Sequence, residues 1–244
     1  MIRCLSRLAI ASILVVSVAR ADSPAHSAVT PNERKDAGAV KRHEAFVARA
    51  AKGHVDVLFL GDSITQGWEG AGKKAWGEHF EKLHPANFGI GGDRTQHILW
   101  RLTAGKELEG IQPKVCVLMI GTNNMGSNSA KEIADGVEAI IKELHKQRPH
   151  MKVLLLAIFP RASAGKDVKV VPAAKLNPKI KETNDIIAKL DNGKTVKYLD
   201  IGPKFLDADG GLSREVMPDL LHLSPKGYEI WAKAISDTLA EMLK

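Results

Sequence analysis

The sequence predicts an α/β protein in which a five-stranded parallel sheet is covered by helices on both faces. Short, nearly continuous apolar runs recur along the chain, and segments with helical periodicity separate them. Apolar runs of this kind suit parallel strands buried on both faces, and their regular alternation with helices argues for parallel strands joined by crossover helices. Three of the five runs end abruptly in glycine followed by polar residues, where ligands bind in such sheets. The chain has 244 residues, 44% hydrophobic and 26% charged, which fits one large domain with an adequate core.

Each element has its own signal. From Asn32 to about Lys52 the pattern is helical, with Val40, Phe46, Val47 and Ala50 as expected buried positions and Gly53 as the stop. Val55 to Leu60 reads as the first strand, running into Gly61-Asp62-Ser63. Residues 73–83 read as a helix carrying Trp76, Phe80 and Leu83 at spacings of four and three. Ala86 to Ile90 is the second strand, and a helix capped by Asp93 or Thr95 follows it. Val115 to Ile120 is the third strand and ends in Gly121-Thr122-Asn123-Asn124. Ser129 and Glu132 form a capping box for a helix that buries Ile133, Val137, Ile140, Ile141 and Leu144. Val153 to Phe159 is the fourth strand. Residues 162–176 read as a surface loop, and a loop this long is usually functional or mobile. Asn177-Pro178 opens a helix with Ile180, Ile187 and Leu190 on one face; Asn184 shares that face and is expected to be a satisfied structural amide. Val196 to Ile201 is the fifth strand. Ser224-Pro225 opens a last helix with Tyr228, Trp231, Ile235, Leu239 and Met242 as its buried stripe.

The amino terminus reads as a targeting segment. Arg3 and Arg7 precede an apolar run from Leu8 to Val18, and Ala19-Arg20-Ala21 is a small-residue cleavage site. The run is too short for a membrane span, which needs about 20 apolar residues. The expected organisation is a signal peptide over 1–21, a flexible lead-in over 22–31 and a single domain over 32–244, exported after cleavage near Ala21 and without stable membrane insertion. Loss of Arg3, Arg7 and Arg20 leaves 32 Lys and Arg against 28 Asp and Glu, a net charge of +4. That is too mild to read as a nucleic-acid footprint. Cys4 leaves with the leader, and Cys116 lies within an apolar strand, so no internal disulfide is expected.

In a parallel sheet the three polar strand ends share one edge. If the strands are neighbours, Ser63, Gly92 and Asn123 converge: a hydroxyl, a backbone N–H that ligands can approach closely, and an amide donor. Together these are the parts of a nucleophile in an oxyanion hole; the bland alternative for Asp62 or Ser63 is a helix cap. Asp62 itself reads as a buried turn residue. Of the nine histidines, His222 is distinctive because it lies in a loop before the last helix, three residues after Asp219. That spacing lets Asp219 orient His222 as the base for Ser63. Asp200, at the end of the fifth strand, is the serious rival to Asp219; Asp207 and Asp209 also compete. Trp68 and Arg94 flank site residues and are candidates for lining a substrate pocket, against plain packing or a surface salt bridge. There is no metal-ligand motif, no phosphate loop and no Gly-x-Ser-x-Gly elbow, so neither a metal nor a cofactor is expected.

Four blocks carry a resemblance: Gly61-Asp62-Ser63, Gly92 within Asn87 to Asp93, Gly121-Thr122-Asn123-Asn124, and Asp219-Leu220-Leu221-His222. In this order, each at a strand end or loop, they resemble the SGNH (GDSL-type) hydrolase family. Residues 87–102 and Ala157-Ile158-Phe159-Pro160-Arg161 are most similar to platelet-activating-factor acetylhydrolase catalytic-subunit-like bacterial esterases. The resemblance implies a flavodoxin-like three-layer α/β/α sandwich and hydrolysis of short-chain acyl esters, acetyl above all, through an acyl-serine. It implies Ser63 as nucleophile, His222 as base and Asp219 as its orienting acid. The oxyanion would be held by the N–H groups of Ser63 and Gly92 and the Asn123 side chain. The partner is then a small-molecule ester, and relatives of this kind allow a homodimer. The leader and the 162–176 loop depart from the intracellular acetylhydrolase pattern and leave a carbohydrate O-acetylesterase as the alternative. A non-catalytic binding protein on the same scaffold is disfavoured, because every catalytic position is filled.

Overall fold

A computed structural model describes residues 25–244. The proposed leader and the first residues of the lead-in lie outside the described residues. The helices are α1 (Ala37–Ala50), α2 (Ser63–Gln66), α3 (Lys73–His79), α4 (Thr95–Leu102), α5 (Ala130–Gln147), α6 (Pro178–Ile187) and α7 (Pro225–Met242). The strands are β1 (Val57–Gly61), β2 (Pro85–Gly89), β3 (Val115–Met119), β4 (Lys152–Leu156), β5 (Val170–Val171), β6 (Val196–Leu199) and β7 (Leu212–Ser213). Five strands form one parallel sheet in the order β2-β1-β3-β4-β6. The expected sheet and its two helical layers are therefore present.

Alternation along each strand divides the core in two. Leu58 and Leu60 of β1, with Cys116 and Leu118 of β3, meet Phe46, Ile98, Val137 and Ile180 from α1, α4, α5 and α6. Val57 and Phe59, with Val115 and Val117, meet Ala75 of α3 and Trp231 and Ile235 of α7. Every residue of β1 and β3 is buried, as a sheet covered on both faces requires. The register pairs Gly61 with both Gly89 and Met119, so β1, β2 and β3 end level with one another. This alignment puts the three polar strand ends at one edge.

The helix ends behave as their sequences require. Ser129 accepts from Glu132 N while the Glu132 carboxylate accepts from Ser129 N, and Asn177 and Ser224 cap α6 and α7. Asn184 closes the end of β4, accepting from Ile158 N and donating to Ile158 O, both at 2.9 Å.

Four expectations are corrected. The described part of the lead-in is docked: a 3-10 turn at Ser27–Val29 buries Ala28, whose carbonyl accepts from Thr95 Oγ1 at 2.8 Å. Ser27 Oγ accepts from Asn128 Nδ2 at 2.9 Å, and Asn32 N donates to Gln96 O at 3.0 Å. Polar composition suggested a free tail, but these side-chain and backbone partners satisfy it. Val47 is exposed rather than buried, since the stripe of α1 runs through Ala39, Phe46 and Ala50. Neither Asp93 nor Thr95 caps α4; Arg94 occupies that position, and its N–H donates to His97 Nδ1 at 3.0 Å. Finally, the 162–176 stretch holds β5, which pairs antiparallel with β7 and buries Val171 and Leu212.

Candidate active site

Ser63 follows β1 at the first position of α2. Asp62 caps that turn, its Oδ1 accepting from Ile64 N at 2.9 Å. The cap reading was thus right for Asp62, and capping leaves the Ser63 hydroxyl free. Ser63 Oγ lies 2.9 Å from His222 Nε2, and His222 Nδ1 lies 2.6 Å from Asp219 Oδ2. A carboxylate only accepts, so Nδ1 carries the proton and Nε2 is left to accept from the Ser63 hydroxyl. Residues 159 positions apart in sequence meet because α7 lies beneath α2 and α3, and its entry loop rises to the strand edge.

That loop is shaped by a strained residue. Leu220 has φ of +63°, a left-handed conformation unusual for leucine, and its side chain is buried. The turn brings Asp219 and His222 onto one side, where Asp219 Oδ1 also accepts from His222 N at 2.7 Å and Leu221 N at 3.1 Å. Burial raises the Asp219 carboxyl, but its bonds to the His222 ring and to the backbone outweigh this and hold it below its ordinary value. Asp200 is otherwise engaged: its Oδ1 accepts from Gly202 N at 2.8 Å. The 162–176 stretch braces the same loop. Ala162 N donates to Leu220 O, and Arg214 bridges Val168 O and Pro218 O at 2.8 and 2.6 Å.

Gly92 has φ of +81°, and among the described residues neither its N–H nor that of Ser63 has a hydrogen-bond partner. A Cβ at the neighbouring Gly91 would lie 3.6 Å from Ser63 Cβ, so this loop sits directly against the serine. Asn123 Nδ2 donates to Asp93 O at 2.9 Å, which uses one of its two N–H groups and orients the other. Ser63, Gly92, Asn123, Asp219 and His222 are therefore brought to one edge.

Trp68 is not. It is 1% exposed and packs within the aromatic layer, its ring centroid 4.7 Å from Tyr228 and 4.8 Å from Trp231. It follows the site in sequence, but one helical turn rotates it into the core. Arg94 is half-buried and donates to Ser127 Oγ at 3.2 Å, a partner on the loop after Asn124 rather than a site residue.

Sequence reasoning missed several supports. Gln66 Oε1 accepts from Gly91 N at 2.7 Å and ties the serine turn to the glycine loop. Tyr228 donates to Ile64 O at 2.6 Å from beneath, and Arg161 donates to Thr122 O at 3.2 Å. Behind the loop, Asp93 is wholly buried against Arg101, which also holds Glu107. Burial raises the Asp93 carboxyl despite the guanidinium groups of Arg101 and Arg34 beside it. It also lowers His97 to about 4, with help from Arg34, Arg94 and Arg101, so His97 is a neutral acceptor for the Arg94 N–H. A buried ion network beneath a loop has no periodic signature; the polar run Gly92-Asp93-Arg94-Thr95-Gln96 was its only visible trace.

Elsewhere, Glu78, His79 and Glu229 bring potential ligand atoms within 4.8 Å of one another. Lys233 already lies 3.1 Å from the Glu229 carboxylate, and the group shares no residue with the Ser63 constellation.

A doubly covered parallel sheet with a serine, histidine and carboxylate at its carboxyl edge defines a scaffold for acyl transfer. The chain belongs to the GDSL-like lipase/acylhydrolase family, whose model matches residues 59–230, and it is a hydrolase of that type. It is 38% identical over 206 residues to platelet-activating factor acetylhydrolase IB subunit alpha2 of Rattus norvegicus, covering 84% of this chain and 85% of that protein. It is 37% identical over 202 residues to the alpha1 subunit of Homo sapiens, covering 82% of each. A GDSL-like lipase structure from Bacteroides thetaiotaomicron superposes with a TM-score of 0.62 at 20% identity, over 83% of this chain and 97% of that one. That likeness concerns the fold alone.

Proposed function

We propose that the protein is an exported serine esterase that hydrolyses short-chain acyl esters, acetyl esters above all. The observation that carries this reading is the continuous relay from Asp219 through His222 to Ser63, at 2.6 and 2.9 Å, beside backbone N–H groups that have no partner among the described residues. In this reading Ser63 Oγ attacks the ester carbonyl carbon while its proton passes to His222 Nε2. The carbonyl oxygen, now an anion, is held by the N–H groups of Ser63 and Gly92 and the free N–H of Asn123. Collapse of the intermediate expels the alcohol, which takes its proton from His222. Water, activated by the same histidine, then releases the acid and restores Ser63.

The acetyl preference is supported by the acetylhydrolase relatives. Export is supported by the basic, apolar and small-residue pattern of residues 1–21. Among the described residues no helix is long and apolar enough to cross a membrane.

A fluorophosphonate probe and p-nitrophenyl acetate test the chemistry. The wild type should be labelled and active and Ser63→Ala neither; full activity in Ser63→Ala overturns the reading. An acyl-chain panel that includes acetylated sugars tests the preference, and turnover that rises with chain length counts against it. Cleavage near Ala21 and recovery outside the cytoplasm test export; a chain that keeps its amino terminus inside the cell defeats it.

A further inference from the structure

We propose that Arg34 is a positioning residue for the oxyanion donor at Gly92, acting through the carbonyl of Gly91. The inference rests on the serine-esterase reading above. Gly91 C=O and Gly92 N–H are opposite ends of one peptide group, and in a trans peptide they point in opposite directions. Arg34 Nη1 donates to Gly91 O and also to Asp93 Oδ1 at 3.3 Å. The cation therefore sits on the carbonyl side of that peptide, and the N–H is turned to the side where Ser63 stands. Gly92 admits the approach because it lacks a side chain: a Cβ there would stand 3.2 Å from Arg34 Nη1.

Two consequences follow. The guanidinium fixes the plane of a loop peptide that belongs to no helix or strand. It also polarises the peptide, because a donor on the carbonyl oxygen strengthens the N–H at the other end as a donor. Arg34 is about three-quarters buried, so its charge is poorly screened by solvent.

Arg34 is itself held from behind. Its Nε donates to Asp36 Oδ2 at 2.8 Å, and Asp36 caps α1 through Ala39 N at 3.0 Å. The segment before it is anchored through Ser27, Ala28 and Asn32. The start of α1 thus reaches the oxyanion peptide through one side chain. Gln66 fixes the preceding peptide at Gly91 N, so the loop is gripped from both sides.

The test compares Ser63→Ala, Arg34→Ala, Arg34→Lys and Ser27→Ala in the full chain with p-nitrophenyl acetate. Arg34→Ala should lose on the order of tenfold in kcat with KM little changed, because an oxyanion donor acts on the transition state. Arg34→Lys, which keeps the charge and loses the planar fork, should fall between Arg34→Ala and the wild type. Methylguanidinium should restore part of the kcat of Arg34→Ala and leave the wild type unchanged. Ser27→Ala loosens the segment without touching Gly91 and should keep its kcat. A kcat for Arg34→Ala within about twofold of wild type, with Ser63→Ala inactive, overturns the role of Arg34 alone. A loss that methylguanidinium does not relieve and that Ser27→Ala matches also overturns it, because Arg34 is then only a tether. Full activity in Ser63→Ala overturns both this inference and the reading beneath it.

Discussion

Asp219 and Asp200 were both eligible partners for His222, and the structure separates them by what each carboxylate already holds. Asp200 spends its oxygen on the Gly202 N–H, whereas Asp219 grips both the ring and the backbone N–H of His222. Asp219→Asn should therefore lower kcat by roughly 10²–10⁴, since it removes the anion that selects the tautomer and stabilises the imidazolium. Asp200→Asn keeps an oxygen for Gly202 N and should stay within severalfold of wild type. Steady-state kinetics on both variants checks this, and the reverse order would reassign the acid. The pairing was legible because the Asp-x-x-His spacing is local. Its cause was not: nothing in the sequence marks Leu220 for φ of +63°. For Trp68 the packing alternative holds over pocket lining, since proximity in sequence to Ser63 says nothing of which way one turn points a side chain. Arg34 lies in a polar stretch that resembles any helix lead-in, and its meaning depends on a loop 57 residues away.

Strands and their termini were the most readable elements, because a strand buried on both faces cannot hide its apolar run. Alternation and crossover rules predicted parallel strands whose polar ends share an edge. The convergence of Ser63, Gly92 and Asn123 was conditional on those strands being neighbours, and the order β2-β1-β3 with level ends meets that condition. The β5–β7 pairing was not readable: two residues on each side leave no periodic pattern. Its apolar residues are Val170, Val171 and Leu212, in two short irregular segments separated by α6 and β6. The junction of β2 with α2 carries a prediction of its own. A Cβ on Gly89 would fall 2.2 Å from Gln66 N and 2.7 Å from Thr65 C, both backbone atoms of the turn that bears Ser63. Neither atom can rotate away, so Gly89→Ala must push β2 and α2 apart. It should lower the melting temperature, with a destabilisation of about 1–3 kcal/mol expected for overpacking. It should also lower kcat by displacing Ser63 from His222. An alanine variant that melts and turns over like the wild type would show that the two elements separate freely. By contrast, Ser129→Ala removes only the N-cap of α5, and should cost about 1 kcal/mol of stability with kcat little changed.

Asp62 is the buried carboxyl at the junction of β1 with the Ser63 turn, and it sets how the whole molecule should respond to pH. Asp62 is wholly buried; its Oδ1 caps Ile64 N while its Oδ2 has no partner among the described residues. Burial is the main reason its carboxyl rises from 3.8 to about 7, with Asp93 adding to the rise and the Ile64 N–H, His222 and Arg161 opposing it. The unfolded chain releases this proton near 3.8 and the folded chain near 7. Between those values the folded state holds a proton that the unfolded state has lost, so raising the pH favours unfolding. The group's contribution is fully present below about pH 4 and gone above about pH 7, a difference of up to about 4 kcal/mol. Asp219 and Glu132, both held below their ordinary values, act in the opposite sense at lower pH, so the wild-type curve alone would mix these effects. The difference between wild type and Asp62→Asn isolates the one group, because Asn retains an oxygen for Ile64 N and does not titrate. Urea unfolding of both proteins from pH 4 to pH 8 should show Asp62→Asn gaining stability relative to wild type up to about pH 7 and then levelling off. A constant difference across that range would mean that Asp62 is ionised in the folded protein throughout. The carboxylate would then need a partner for Oδ2, and the junction between the Ser63 turn and the core would be more open than its burial implies.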